Sequence, residues 1–325
     1  MKLPAEHRER FAGPLYQISA VLAAIAGMGT VVGFLGDVWW VFALATAPRV
    51  HYALLFALTA GIFALLREWI ALTLCVGGLV MNMSVILPLY LADPAPAELG
   101  SEPLDVMFLN VEFVGADPRA MIEDLRDGAF DLVFLAATND TWTTALSGAP
   151  IPYSVVESRP LGVDLELLAL ARSDLQVTTT LHDFGEGGRD RAIEVMVDLG
   201  RTPVRVLAMH PVSPLTPDRA RWNARQLETL ASWAAIQEDP VLIVGDLNNT
   251  SWSFEFEVFT ERGRLVNSQL GYGVQATWPA RMGFLGIPID HAVHSAELTT
   301  IDRSLGSGYG SEHRSLQVSV APRAP

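Results

Sequence analysis

The residues best suited to chemistry in this sequence are acids, amides and histidines that follow short apolar runs. The run Val241 to Val244 leads through Gly245 into Asp246 and, two residues on, Asn248. On a strand alternate side chains share a face, so Asp246 and Asn248 can point the same way. A carboxylate placed there orients a water or holds a metal, and an amide N–H donates to a phosphoryl oxygen as charge builds on it. The same spacing also suits an Asx turn that closes a strand. Further on, Asp290 precedes His291, and Glu312 precedes His313. A histidine oriented by a buried carboxylate is a general base near neutral pH, and a neighbouring carboxylate can bind Mg²⁺. His210 closes the apolar run that starts at Val204 and can donate to phosphate. Taken singly, each histidine fits a structural role as well; their order and spacing with the Asp-x-Asn element favour the chemical reading.

The apolar runs Val106 to Val111, Leu132 to Leu135, Leu165 to Ala171, Ile193 to Leu199, Val204 to Ala208 and Val241 to Val244 read as strands. Asp117 to Arg126 and Asp218 to Ala235 read as helices. Many strands with few helices between them predict two packed sheets with helices outside, not one doubly wound parallel sheet. Loops such as Leu181 to Asp190 and Leu270 to Gly286 are where specificity would reside.

The first ninety residues belong to a different solvent. Half of the 325 residues are hydrophobic, and charges are sparse between Phe11 and Ala92. Leu15 to Leu35 carries no charge, a length that matches a hydrocarbon core of roughly 30 Å at about 1.5 Å per helical residue. Val50 to Leu66 and Trp69 to Ala92 read as second and third spans, joined at Arg67 and Glu68 as a tight helical hairpin. Gly29 and Gly33 form a small-xxx-small pair suited to close packing within the bundle. Lys2, Arg8, Arg10 and Arg67 on one side, against Arg49 on the other, predict a cytoplasmic N-terminus and a C-terminal domain beyond the inner membrane, periplasmic or extracellular. The expected organisation is a membrane anchor over 1–92, a Pro-rich linker over 93–103 and a soluble domain over 104–325. The single cysteine, Cys75, excludes an intrachain disulfide, and a net charge of −14 argues against tight nucleic-acid binding.

From Leu104 onward the sequence resembles the endonuclease/exonuclease/phosphatase superfamily, the deoxyribonuclease I-like proteins. The matching motifs are Asn110-Val-Glu112, Met209-His-Pro211, Gly245-Asp-Leu-Asn-Asn-Thr250, Ile289-Asp-His291 and Gly310-Ser-Glu-His-Arg314, in the family's order. Three spans before such a domain resemble a bacterial membrane-anchored branch. The resemblance implies a four-layer α/β sandwich that hydrolyses phosphoester or phosphodiester bonds with Mg²⁺ or Mn²⁺. The substrate would be nucleic acid, a lipid headgroup or a small phosphorylated metabolite.

The resemblance also implies roles. Asp246 would activate water, Asn248 would stabilise the transition state, Asp290 would orient His313, and His210 would bind the scissile phosphate. Asn110, Glu112 and Glu312 would lie at or beside the metal. Two positions depart from the pattern: Ala137 stands where the family's principal metal-binding glutamate is expected, with Asp140 or Glu112 as possible substitutes, and Glu312 replaces the usual aspartate. The alternative that follows is a catalytically impaired member of the fold acting as a membrane-tethered binding module.

Overall fold

The computed structural model describes residues 5–111, 115–160, 166–185, 190–198 and 203–324. The chain divides into two compact units: Met1–Leu89 with Trp252–Phe254, and Tyr90–Ser251 with Glu255–Pro325.

In the first unit, α1 (Ala5–Gly33), α3 (Arg49–Leu66) and α4 (Trp69–Ile86) are long, and a short α2 (Trp40–Leu44) lies between the first two. Gly13–Gly33, Arg49–Leu66 and Trp69–Ile86 are each long and apolar enough to cross a membrane. The three pack through small and polar residues as well as apolar ones. Gly29 lies against the Tyr52 ring, where a Cβ would come within 2.3 Å of Cζ, and Gly78 lies equally close to Phe56. Asn82 Nδ2 donates to Thr30 Oγ1 at 2.8 Å. Outward faces stay apolar, with Leu65 85% and Ile70 82% exposed. Arg67 takes a left-handed conformation (φ 66°) and closes the α3–α4 hairpin. The third span is shorter than the apolar run suggests. It ends at Ile86, and Pro88, which has no N–H to continue the ladder, starts the short α5 (Pro88–Leu91).

The second unit is built on two six-stranded sheets. In chain order its elements are β1 (Leu104–Asn110), α6 (Pro118–Asp124), β2 (Leu132–Thr138), α7 (Asp140–Ser147), β3 (Tyr153–Pro160), β4 (Glu166–Arg172), β5 (Val177–Asp183), β6 (Arg191–Asp198), β7 (Pro203–Met209), α8 (Pro217–Ala235), β8 (Val241–Asp246), α9 (Phe254–Gly263), β9 (Leu265–Asn267), β10 (Asp290–Ser295), β11 (Leu298–Leu305) and β12 (Leu316–Pro322). The sheets run β11-β12-β1-β2-β4-β3 and β5-β6-β7-β8-β10-β9. Alternation along each strand sorts side chains between two cores. Val106 and Phe108 face inward against Val206, Leu242 and Val244 of the other sheet. Met107 and Leu109 face outward under Met121, Leu125 and Trp142. The second sheet likewise turns Leu207 and Ile243 toward Leu227, Leu230 and Phe259. The result is four layers, α/β/β/α, with the middle strands buried on both faces, which is why they read as unbroken apolar runs.

Each sheet contains one parallel pair, β1/β2 and β7/β8. The linker is held against the first sheet: Glu98 N donates to Pro322 O at 2.8 Å, Ala324 N donates to Pro96 O at 2.9 Å, and Ala97 bridges Arg323.

One buried acid supports the second sheet from outside. Glu194 is 2% exposed; it accepts from Arg205 Nη1 at 2.7 Å, and its Oε2 lies 2.7 Å from His182 Nε2. Burial alone would raise its pKa, but the bonds from His182 and Arg205 outweigh this and hold it below the ordinary glutamate value. A carboxylate depressed in this way stabilises the fold above its unfolded value, about 4.3, and the contribution is lost as pH falls through the folded value. Glu194→Gln is therefore expected to cost about 3 kcal/mol near neutral pH, with the deficit against wild type closing as pH drops below the carboxylate range. Paired thermal melts across that range check it.

Candidate functional site

The C-terminal ends of both parallel pairs carry the polar residues singled out above. Asn110 ends β1, Asp246 ends β8, and His210 follows β7 directly. Gly245 permits this proximity, since a Cβ there would lie 2.1 Å from Met209 O. Across the antiparallel β8/β10 pair, Asp290 stands in register opposite Asp246.

A web of short bonds joins these residues. Asn110 Nδ2 donates to Asp246 Oδ2 at 2.9 Å and lies 3.5 Å from His313 Nε2. His313 Nδ1 lies 2.9 Å from Asp290 Oδ2. An ionised carboxylate can only accept, so Nδ1 is assigned the proton and Nε2 is left with its lone pair facing the site. Asp246 Oδ2 is 3.6 Å from His210 Nε2 and 3.8 Å from His313 Nε2. Ser311 ties the loop bearing His313 to the first sheet: its hydroxyl donates to Asn110 O at 2.6 Å and accepts from His313 N at 2.9 Å. Thr277 Oγ1 accepts from the backbone N–H groups of Ile289 and Asp290, both at 3.2 Å, and fixes the start of β10.

Strand alternation does not place Asn248, because β8 ends at Asp246. Asn248 adopts a left-handed backbone (φ 55°), its N–H donates to Asp246 Oδ1 at 3.0 Å, and its Nδ2 donates to Pro211 O at 3.0 Å. Asn248 thus meets Asp246 through an Asx turn at its backbone N–H, with its side-chain amide turned to Pro211 O. His291 points to the opposite face of β10, donates from Nε2 to Asn249 O at 2.7 Å, and is pushed down to about 4 by burial, so it is a neutral structural group. Glu112 lies outside the described residues. Glu312 is half-buried, its carbonyl accepting from Ala280 N at 2.6 Å. Asp140 is exposed in the first turn of α7, so it does not join the cluster.

Asp246, Asp290 and His313 offer ligand atoms that all lie within 4.8 Å of one another. Two facing buried carboxylates, with Asp290 Oδ1 buried and lacking a hydrogen-bond partner, fit a divalent cation. One wall contributes nothing to such a set. Asn110 aligns with Ala136 across β1/β2, and the next residue, Ala137, is buried with a left-handed backbone (φ 56°) and presents a methyl group. Such a conformation costs a non-glycine residue roughly 1–2 kcal/mol.

Sequence reasoning missed Ser311, Thr277, Asn223 and Gln226, which hold the loops of the site. The last two were legible only as amides three residues apart in the apolar stripe of α8.

The family model for the endonuclease/exonuclease/phosphatase family matches residues 107–313. The chain belongs to this family. Solved structures with the same fold include D. rerio TDP2 complexed with single-strand DNA product, 15% identical over 67% of this chain and 99% of that one, TM-score 0.54. They also include an endonuclease/exonuclease/phosphatase from Bacteroides vulgatus, 12% identical over 68% and 100%, TM-score 0.55. A mannosyl-6-phosphatase of Bacteroides thetaiotaomicron VPI-5482 is 13% identical over 67% and 99%, TM-score 0.51. At these identities the likeness is one of fold. No curated protein matches the sequence.

Burial first, and then the charge of Asp290, raises the Asp246 carboxyl above the ordinary range. A carboxyl raised in this way contributes stability below its unfolded value, about 3.9, and loses it as pH rises through the folded value. Asp246→Asn is expected to raise Tm near pH 8 in the presence of a chelator, with the gain vanishing near pH 4. Melts of both proteins across that range check it, and a lower Tm for the variant at the alkaline end counts against the assignment.

Proposed function

We propose that the protein is a membrane-tethered phosphoesterase of the endonuclease/exonuclease/phosphatase family, hydrolysing a phosphate mono- or diester by in-line attack of water. The observation that carries this reading is the meeting of Asp246, Asn248, His210 and the His313–Asp290 pair at the ends of strands from both sheets. Hydrolysis needs a base for water, donors for the phosphoryl oxygens, and a proton for the departing oxygen. Asp246, its pKa raised by burial, orients the water and accepts its proton as the new P–O bond forms. His210, 3.6 Å from Asp246, binds a phosphoryl oxygen. Asn248 Nδ2 donates to the phosphoryl oxygens as their charge grows. His313, held by Asp290, binds phosphate or serves as the base. The bond to the leaving oxygen breaks, and that oxygen takes up a proton from solvent or from a protonated histidine.

A divalent cation, Mg²⁺ or Mn²⁺, would lie against the Asp246–Asp290 acid pair, with Asn110, Glu112 and Glu312 at or beside it, which leaves His313 Nε2 for phosphate or water. When bound, it supplies Lewis-acid polarisation of a phosphoryl oxygen. The second reading, a disarmed binding module, is favoured by Ala137, whose methyl gives no ligand. For topology, the basic residues named above support a cytoplasmic N-terminus in a bacterial inner membrane and a catalytic domain on the opposite face. The acidic chain and its tether favour lipid headgroups or small phosphate esters over long nucleic acids.

Two experiments test this. The full chain in detergent is expected to cleave bis-p-nitrophenyl phosphate with Mg²⁺ or Mn²⁺, and His313→Ala to lower kcat by roughly 10²–10⁴. A wild type that is inert while Ala137→Glu turns over would instead establish the disarmed reading. For topology, alkaline phosphatase fused at the C-terminus is expected to be active in bacteria; an inactive but stable fusion would reverse the orientation.

A further inference from the structure

α8 carries two amides in a face otherwise made for the apolar core. Asn223 is 1% exposed and Gln226 2% exposed, beside Leu227, Leu230 and Ala231. An amide buried without partners costs roughly 1–3 kcal/mol, so its presence in an apolar stripe calls for bonds that use it fully. Both amides have them. Asn223 Nδ2 donates to Val212 O at 2.8 Å and to Leu247 O at 3.1 Å, and its Oδ1 accepts from Asn249 Nδ2 at 2.7 Å. Gln226 Oε1 accepts from Val212 N at 2.8 Å, and its Nε2 donates to Asp190 Oδ1 at 2.7 Å.

Three of these bonds go to the backbone of the two loops that bear chemistry. Val212 has both its N–H and its carbonyl held by α8 side chains, two residues after His210 and one after Pro211. Pro211 O receives Asn248 Nδ2 at 3.0 Å. Leu247, between Asp246 and Asn248, is gripped by the same Asn223 amide. On the far side, Asp190 Oδ1 also accepts from Trp222 Nε1 at 2.5 Å, and Asp190 O accepts from Phe184 N at 2.9 Å. A continuous chain thus runs from Asp190 through Gln226 to Val212 and Pro211, and from there to the Asn248 amide.

We propose that Asn223 and Gln226 are positioning residues for the reaction, setting the Asn248 amide and His210 against Asp246, with Asp190 anchoring the outer end of the chain. None of the three touches the reacting atoms. Their effect falls on kcat, because a displaced Asn248 loses its hold on charge that develops only in the transition state. The catalytic form of the proposal rests on the hydrolase reading above; the positioning itself does not.

The test uses the full chain in detergent. Gln226→Glu keeps the acceptor for Val212 N but sets a carboxylate against Asp190. Adding Asp190→Asn restores a donor to that bond while leaving an oxygen for Trp222. Gln226→Leu removes both bonds with a residue that suits the apolar stripe. Two readouts are taken: kcat and KM on bis-p-nitrophenyl phosphate, and the side-chain amide signal of Asn248 in protein labelled with ¹⁵N-asparagine, assigned by its loss in Asn248→Ala. Gln226→Glu and Gln226→Leu are expected to lower kcat at least tenfold with KM within about twofold, and to shift the Asn248 signal. The double variant is expected to return both readouts to wild type. Variants that fold, lose Tm and yet keep kcat and the Asn248 signal overturn the proposal. Should wild type not turn over, the hydrolase reading fails by itself, and the Asn248 signal still decides the positioning: a shift supports it and an unmoved signal sinks it.

Discussion

Two carboxylates face each other across β8 and β10, and both are almost fully buried: Asp246 is 2% and Asp290 1% exposed. Such a pair is unfavourable by itself, because taking two like charges out of water is costly. The surroundings are organised around that cost. Asn110 reaches Asp246 from the other sheet, Asn248 turns its backbone N–H onto it, and His313 bonds Asp290. Each of these donors comes from a different part of the chain, so the acid pair also pins β1, the turn after β8 and the loop before β12 to one point. Stability is given up at the pair and regained in the apolar layers on either side, the usual exchange at a site built to hold charge.

How much of this the sequence discloses depends on where a strand sits. β1, β2, β4, β6, β7 and β8 are buried on both faces or nearly so, and their apolar runs mark them plainly. The sheets end in β11, β3, β5 and β9, and edge strands carry polar residues that blur the signal. β5, with Thr178, Thr179, Thr180 and His182, has no apolar run to find. The site shows the same division. Asp246, Asp290, His210 and His313 are visible because rare residue types stand at strand ends. Asn223 and Gln226 look like ordinary polar positions until α8 is laid on the sheet. The run to Ala92 reads as one helix because hydropathy does not register the missing N–H of Pro88.

Ala137 lines the site without offering a ligand atom. Acids, amides and histidines are gathered there, while the strand end next to Asn110 offers only a methyl in a left-handed conformation. The linker contributes in another way. It bonds along Pro322 and Ala324, so the segment from Pro96 to Glu98 runs beside the end of β12.

The order of strands has a consequence for how the protein is made. β1 lies between β2, which follows soon after it, and β12, which is the last strand in the sequence. Asn110 and His313, which meet at 3.5 Å, are separated by almost the whole second unit in sequence. At about 5–20 residues per second, the ribosome has released the N-terminal helices and most of the second unit before the central strand can find its partner. Until then β1 has an open edge, and the acid pair lacks its histidine. A chain interrupted before β12 therefore has neither a closed sheet nor a working site, so whatever chemistry the site performs is withheld from incomplete copies by the pairing order alone.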